Sequence, residues 1–386
     1  MKKILILSPF FFPEPISTGK FNTDMVLELN EEGHEVTVLC FHPFYPKWQV
    51  KESSETLEGI KIVRGGKKIK YSKKTFLRRM VLELSYAWYI IWKIIKYQKN
   101  ADIVVPVFPP SLAFYVILPF LKKRIRKVGI VHDLQLIYAS QRKGRLSKFV
   151  NFIISSVEKK CFKNCDKLIF LSDEMKNTAQ ELYGLNSNKL IAQLPFITIN
   201  ENITTNDLGD ILSEDDHNIV YSGALSEKQN PEGMYEFFSF LTKKNSLFKC
   251  HIFSQGPVYE LLRSKNQNEN ILFHDLVPRK NIEELYRRST VQIVPQLPNT
   301  SKGSLPSKLP NILASGTKVL VITDKESEIE QLFLNHKLDK VITTWDKENL
   351  LFAITELINK SVNSKEQKEI AKRLFDIDNL IQKILS

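Results

Sequence analysis

The stretch KGSLPSKLPNILASGTKVLV, from Lys302 to Val321, reads as a loop, a short helix and a buried strand. Gly303 and Ser304 make a permissive loop. Pro306 or Pro310 would break a helix interior, but in a first turn the missing N–H has no partner to lose. Ile312, Leu313 and Ala314 supply an apolar face, Gly316 stops the helix, and Val319 to Ile322 is a strand-like run. A helix that starts after a Gly/Ser loop presents free N–H groups and a partial positive charge to an anion. Lys308, in its first turn, adds a full charge. An ordinary helix–strand unit with a solvated lysine would look the same in isolation, so the surrounding chain has to decide.

Around this stretch, strand-like runs alternate with helical ones. Asn218–Tyr221, Cys250–Ser254, Ile271–Phe273, Val291–Pro295 and Lys340–Thr343 read as strands, with helical patterns at Ile282–Arg288 and Leu350–Ile358. Further back, a polar stretch from Asn200 to His217 reads as an interdomain linker. Before it the same rhythm runs through Lys3–Ser8, Glu35–Cys40, Ile103–Val107, Val128–Val131 and Lys167–Leu171. A helix opened by Gly19 and closed by Gly33 places Phe21, Met25, Val26 and Leu29 on one face. The pattern predicts two α/β domains with mostly parallel sheets. Ligands are then expected at the carboxyl ends of the strands, and the interdomain cleft is the default pocket.

The 386 residues fit two such domains at about 150 residues each. The 43% hydrophobic content can fill two cores, and the net charge of +12 points to anionic partners. Four scattered cysteines imply a reduced protein in the cytoplasm rather than a disulfide scaffold. MKKILILSPFFF is followed at once by prolines, so no leader peptide is expected. Ile103 to Leu121 is uncharged but holds four prolines. It predicts a strand, a turn and a short helix rather than a membrane span.

From Lys61 to Lys99 twelve basic residues stand against one acid, Glu83, and FLRRMVLELSYAWYIIWKIIKY lies among them. Basic residues beside interfacial aromatics suit contact with an anionic membrane surface. A core helix with solvated lysines at its ends is the plainer reading. Nucleic acid is not expected, since no recognition motif accompanies the charge.

In IVYSGALSEKQNPE a strand ends at Tyr221, Gly223 turns, and Lys228 follows. Lys228 and Lys308, both on loops at strand ends, would neutralise a diphosphate leaving group. VHDLQ puts His132 and Asp133 directly after a strand, where they could orient a sugar hydroxyl or handle a proton near neutral pH. STGK at Ser17–Lys20 fails as a P-loop, because Glu14 stands five residues before Gly19 and Phe21 follows Lys20. No metal cluster and no dinucleotide fingerprint emerges, so neither a metal nor a nicotinamide cofactor is expected.

The stretches ISTGKFNTDMVLELNEEGHEVTVLCFHPFYPKWQV, YSGALSEKQNPE and LPSKLPNILASG resemble the family 4 retaining glycosyltransferases of GT-B fold. The likeness is closest to the colanic-acid-biosynthesis type of exopolysaccharide and capsule pathways. It implies two Rossmann-like domains facing across a cleft. Residues 1–199 would take the acceptor and face the membrane, and 217–364 would hold the nucleotide-sugar donor. A final helix, about 365–386, would cross back to the first domain. The resemblance places Lys228 on the donor diphosphate, Gly303, Ser304 and Leu305 on the phosphate and transferred sugar, and Gly19 near the phosphate. Asp133 matches an acidic position after its strand.

The family's paired glutamates, spaced E-x7-E, correspond to Gly303 and Asn311, and both acids are missing. Asn311 is then expected to bond the ribose, and Glu328 in the next loop to substitute for an acid. The expected function is transfer of a sugar from a nucleotide-diphosphate donor to a lipid-linked or growing saccharide. The expected setting is surface polysaccharide synthesis (capsule, exopolysaccharide or O-antigen) at the inner face of the membrane. The rivals are a sugar-nucleotide epimerase of the same fold and a catalytically inactive sugar-nucleotide-binding subunit.

Overall fold

The computed structural model describes all residues except 15, 46, 73, 136–144, 200–204, 301–304 and 360–363, with backbone only at 75, 76 and 145–149. The chain divides into two compact units, Met1–Gln193 with Ile377–Ser386, and Leu194–Asp376.

In the first unit β1 (Lys3–Leu7), β2 (Glu35–Phe41), β3 (Lys61–Gly65), β4 (Ile103–Phe108), β5 (Arg126–Val131), β6 (Lys167–Phe170) and β7 (Leu190–Ala192) form one parallel sheet. Its order is β3-β2-β1-β4-β5-β6-β7. Every residue of β4 is buried, as a parallel strand covered on both faces requires. The helices are α1 (Ser17–Glu31), α2 (Thr75–Tyr97), α3 (Ser111–Ile117), α4 (Arg145–Asn164) and α5 (Asp173–Tyr183). Phe108 sets its ring edge against Phe114 and Phe162 at 5.6 and 5.3 Å, which locks α3 and α4 onto the sheet. The uncharged run after Asp102 is thus β4 and α3, and no described helix is long and apolar enough to cross a membrane.

In the second unit β8 (His217–Ser222), β9 (Phe248–Phe253), β10 (Ile271–His274), β11 (Val291–Pro295), β12 (Val319–Ile322) and β13 (Lys340–Ile342) are also parallel. Their order is β10-β9-β8-β11-β12-β13. The helices are α6 (Pro231–Lys244), α7 (Pro257–Lys265), α8 (Ile282–Arg288), α9 (Leu309–Ser315), α10 (Glu328–His336) and α11 (Lys347–Asn359). The stretch that opened the sequence reading becomes α9 and β12. Pro310 stands in the first turn of α9, and Gly316 ends it in the left-handed region at φ 75°. Strand order reverses between β1 and β4 in one sheet and between β8 and β11 in the other. Crevices open at such points, because the loops leaving the two strands diverge.

Three boundaries differ from the sequence reading. The first unit ends at Gln193 rather than at residue 199. The polar stretch before β8 belongs to the second unit, where Leu208 and Leu212 are buried against Val220, Phe253 and Leu285. The single terminal helix expected at about 365–386 is two, α12 (Ser364–Leu374) and α13 (Ile377–Leu385). α12 stays with the second unit, where Gln367 Nε2 donates to the carbonyls of Thr317 (3.0 Å) and Leu313 (3.4 Å). Only α13 returns to the first unit, and the Lys2 ammonium donates to its Leu385 carbonyl at 2.6 Å.

Candidate functional site

The second unit gathers its candidates at the β8/β11 switch. Lys308, at the start of α9, extends its ammonium to the carbonyl oxygens of Ser222 at 3.0 Å and Ile293 at 3.4 Å, which lie on β8 and β11. The same nitrogen stands 3.9 Å from the centre of the Tyr221 ring. Burial holds the Lys308 ammonium down to about 7. Gly223 follows directly with φ 130°, a conformation that L side chains rarely adopt, and a Cβ there would lie 4.0 Å from Lys308 Cδ. The Tyr221 hydroxyl donates to the Ala224 carbonyl at 2.7 Å and fixes this turn.

Lys228 sits on the short 3₁₀ turn Glu227–Gln229, exposed, and its carbonyl accepts from Leu297 N at 2.7 Å. That bond ties the loop after β8 to the loop after β11. Leu305, half-buried, packs against the α9 core cluster, while Gly303 and Ser304 lie outside the described residues. Glu328 opens α10 after β12, the strand next to β11. Ser327 caps that helix by accepting from Glu330 N.

Asn311 does different work from the ribose contact expected of it. Its Oδ1 accepts from the backbone N–H groups of Thr198 (2.7 Å) and Ile199 (3.3 Å), and its Nδ2 donates to Thr198 Oγ1 at 3.0 Å. Both ends of the amide hold the strap at 197–199 against α9. The partners lie more than 110 residues away in the chain, which local pattern does not reveal.

In the first unit the candidates follow β1 and β5. Gly19 lies buried in the first turn of α1, and a Cβ there would stand 3.0 Å from the Glu14 carbonyl. The glycine allows the proline-rich loop to fold tightly against the helix. His132 N donates to the Phe108 carbonyl at 2.8 Å, and its ring meets Phe21 of α1 edge-on at 4.6 Å. Burial pushes the imidazole down to about 4, so His132 is neutral at neutral pH. Proton handling near neutral pH, one of its two expected roles, is therefore disfavoured in this state. The buried Nε2, with no partner among the described residues, suits hydrogen bonding to a hydroxyl instead. Asp133 is exposed beside it.

The sequence reading missed what holds this turn. Gln135 donates through Nε2 to Glu83 of α2 at 2.6 Å and through its backbone N–H to Glu158 of α4 at 3.0 Å. Glu83 also accepts from Leu112 N at 3.0 Å, and Glu158 accepts from the Tyr183 hydroxyl at 2.5 Å. Burial raises the Glu83 pKa above its ordinary value, against the pull of these bonds. A lone acid in a basic, aromatic helix was the available signal for Glu83. Among the described residues, Glu28, Glu32 and Asp378 place carboxylate oxygens within 4.8 Å of one another. They lie at the far end of α1 from Gly19, and exposed acids often cluster without an ion.

Residues 18–192 match the family model described as Glycosyltransferase Family 4, and residues 206–374 match Glycosyl transferases group 1. The chain is 24% identical over its whole length to a putative colanic acid biosynthesis glycosyl transferase, WcaI, of Escherichia coli K12, and covers 99% of that protein. Among solved structures it superposes on WaaG, a glycosyltransferase involved in lipopolysaccharide biosynthesis. The TM-score is 0.71 at 15% identity, over 99% of both chains. Sucrose-phosphate synthase from Thermosynechococcus elongatus gives 0.70 at 12% identity, over 100% of this chain and 98% of the other. Two parallel α/β units, a basic residue bridging the switch point of the second, and family matches across both units lead to one assignment: the chain belongs to the family 4 glycosyltransferases of GT-B fold.

Proposed function

We propose that this glycosyltransferase moves a sugar from a nucleotide-diphosphate donor to a lipid-linked or growing saccharide in surface polysaccharide assembly, such as capsule or exopolysaccharide. The names of the similar proteins, colanic acid and lipopolysaccharide enzymes, favour that setting. The observation that carries the donor reading is the Lys308 bridge between β8 and β11, beside Gly223 and the tied Lys228 loop. In this reading Lys228 and Lys308 stabilise the diphosphate leaving group without a metal ion. His132 and Asp133 orient the acceptor hydroxyl. Reaction with retention follows from the family resemblance. The protein works at the cytoplasmic face of the membrane, held there by α2, whose Leu84, Trp88, Trp92 and Ile95 are each more than half exposed.

Thermal stabilisation by UDP-, GDP-, ADP- and TDP-sugars tests the donor site, since a ligand of the folded state raises the melting temperature by mass action. One nucleotide class should shift the folded protein, and the Lys228→Ala variant should lose about 10²-fold or more in kcat. No shift with any donor overturns the reading. Binding without turnover in a complete acceptor mix identifies a binding subunit, and interconversion of nucleotide sugars without acceptor identifies an epimerase.

A further inference from the structure

The first unit holds a second cluster that the chemistry above does not use, at the carboxyl ends of β1, β2 and β3. Phe44, Trp48 and Tyr71 pack ring against ring, with centroids 4.8 to 5.4 Å apart. The Arg78 guanidinium lies over Trp48 at 4.1 Å. Arg64, on β3, reaches across to donate to the Phe12 carbonyl at 2.9 Å. Three polar atoms here are buried without a hydrogen-bond partner: Arg64 Nε, Arg78 Nε and Tyr71 Oη. All three carry a hydrogen to donate. Among the described residues, neither arginine has a carboxylate within 4.0 Å. The buried acid of this region, Glu14, lies within the cluster: it accepts from Phe44 N at 2.9 Å and Tyr45 N at 2.6 Å, and burial together with its charge pushes the Tyr71 hydroxyl up.

A buried arginine Nε–H without an acceptor is costly, and an anion that accepts from it removes that cost. A guanidinium stacked on an indole is held flat, and the terminal nitrogens of Arg78, a partly exposed residue, offer a fork that takes a phosphate bidentately. Arg78 also stands in the first turn of α2, a helix of 23 residues with no acid in that turn, so its positive end is uncompensated. Leu77 and Met80, 46% and 43% exposed, begin the apolar face of α2 beside it.

We propose that Arg64, Tyr71, Trp48 and Arg78 form a subsite for a phosphate group on the acceptor, either the diphosphate of a lipid carrier or a phosphate borne by the saccharide. The assignment deepens the acceptor reading above and rests on it. In the lipid-carrier case the diphosphate meets the arginines and the chain runs onto Leu77 and Met80.

Equilibrium binding of farnesyl diphosphate, glucose 1-phosphate and farnesol to the full-length protein tests this. The wild type should bind at least one phosphate compound and should bind farnesol far more weakly. Arg64→Gln and Arg78→Gln should each weaken phosphate binding by about tenfold or more, while stabilisation by the nucleotide-sugar donor persists. Arg78→Lys, which keeps the charge but loses the fork, should also lose affinity and covers the case in which a glutamine variant fails to fold. Preference for farnesyl diphosphate selects the lipid carrier. Preference for glucose 1-phosphate selects a phosphorylated saccharide, so the subsite stands while the lipid-linked acceptor falls. Folded arginine variants that bind as the wild type does, or a wild type that binds neither phosphate while still transferring sugar, overturn the subsite and leave the transferase reading intact. Orphaned donors that hold only ordered water give that second result.

Discussion

An ordinary lysine titrates at 10.5, and burial holds Lys308 down to about 7. At pH 8 its ammonium is largely deprotonated in the free protein. A diphosphate beside it favours the charged form and raises the pKa, so donor binding takes up a proton. The sign follows. Affinity should be highest near and below pH 7 and fall by up to about tenfold per pH unit above it, until the pKa of the bound state is reached. The fold alone has a related dependence. The folded pKa is below the unfolded one, so the penalty for charging Lys308 is complete below about 7 and fades as pH rises toward 10.5. Calorimetric titration of nucleotide at pH 8, in two buffers of different ionisation enthalpy, measures the proton uptake directly. The wild type should take up a proton and Lys308→Met should not. Equal uptake in both would place the titrating group elsewhere. Lys308 was legible in the sequence because a lysine at the start of a short helix is a local pattern. The bridge to Ser222 and Ile293 was not, because it joins the start of α9 to two strands, β11 lying 15 residues away in the chain and β8 86.

At the scale of elements, α8 is fastened to the polar segment before β8 by one carboxylate. Glu284 is wholly buried. It accepts from Thr205 Oγ1 at 2.6 Å, Leu208 N at 2.8 Å, Asp207 N at 3.0 Å, Arg288 Nε at 3.1 Å and Asn281 Nδ2 at 3.4 Å. Burial opposes its ionisation, but the bonds from Thr205, Leu208, Asp207 and Asn281 outweigh it and hold the carboxyl at about 2. Because the folded pKa is depressed, the stabilisation is present above the ordinary value of 4.5 and is lost as pH falls through 4.5 toward 2. Glu284→Ala leaves Arg288 and two backbone N–H groups short of their acceptor and should cost about 3–5 kcal/mol. Denaturant unfolding at pH 7 and pH 3 checks it. The gap between wild type and variant should narrow at the lower pH, and a constant gap would refute the electrostatic account.

A polar stretch reads as a linker in sequence because its anchoring acid lies on another helix more than 70 residues away. The central strands were legible because parallel strands covered on both faces are continuous apolar runs. β3 and β7 lie at the two edges of their sheet. β3 carries Lys61 and Arg64 and is nowhere fully buried, and β7 has three residues, so neither shows that signature.

The whole molecule carries a net charge of +12, and among the described residues the outer face of α2 is a continuous uncovered apolar surface. The inner face packs Leu82, Tyr86, Ile90 and Ile94 into the first core, while Leu84, Trp88, Trp92 and Ile95 are 57 to 66% exposed. Trp88 and Trp92 meet edge-on at 5.5 Å. A row of large apolar groups one helical turn apart, with Arg79, Lys93 and Lys96 beside it, would be costly to leave in water. It suits the boundary between lipid headgroups and chains. Burying one such side chain is worth about 1.5–3 kcal/mol. The basic residues add attraction only where the surface is anionic, and salt screens that part within about 10 Å at 0.1 M.

The two contributions separate experimentally by co-sedimentation with phosphatidylglycerol and phosphatidylcholine vesicles. The wild type should prefer the anionic vesicles, and rising salt should weaken that preference without abolishing binding. Leu84→Ser, Trp88→Ser and Trp92→Ser combined should lower partitioning at least about tenfold at every salt concentration and leave the melting temperature unchanged, because these side chains support no core. Unchanged partitioning in the folded triple variant would show that the lysines act alone or that another face meets the membrane. A large fall in melting temperature would show that the row packs within the protein after all.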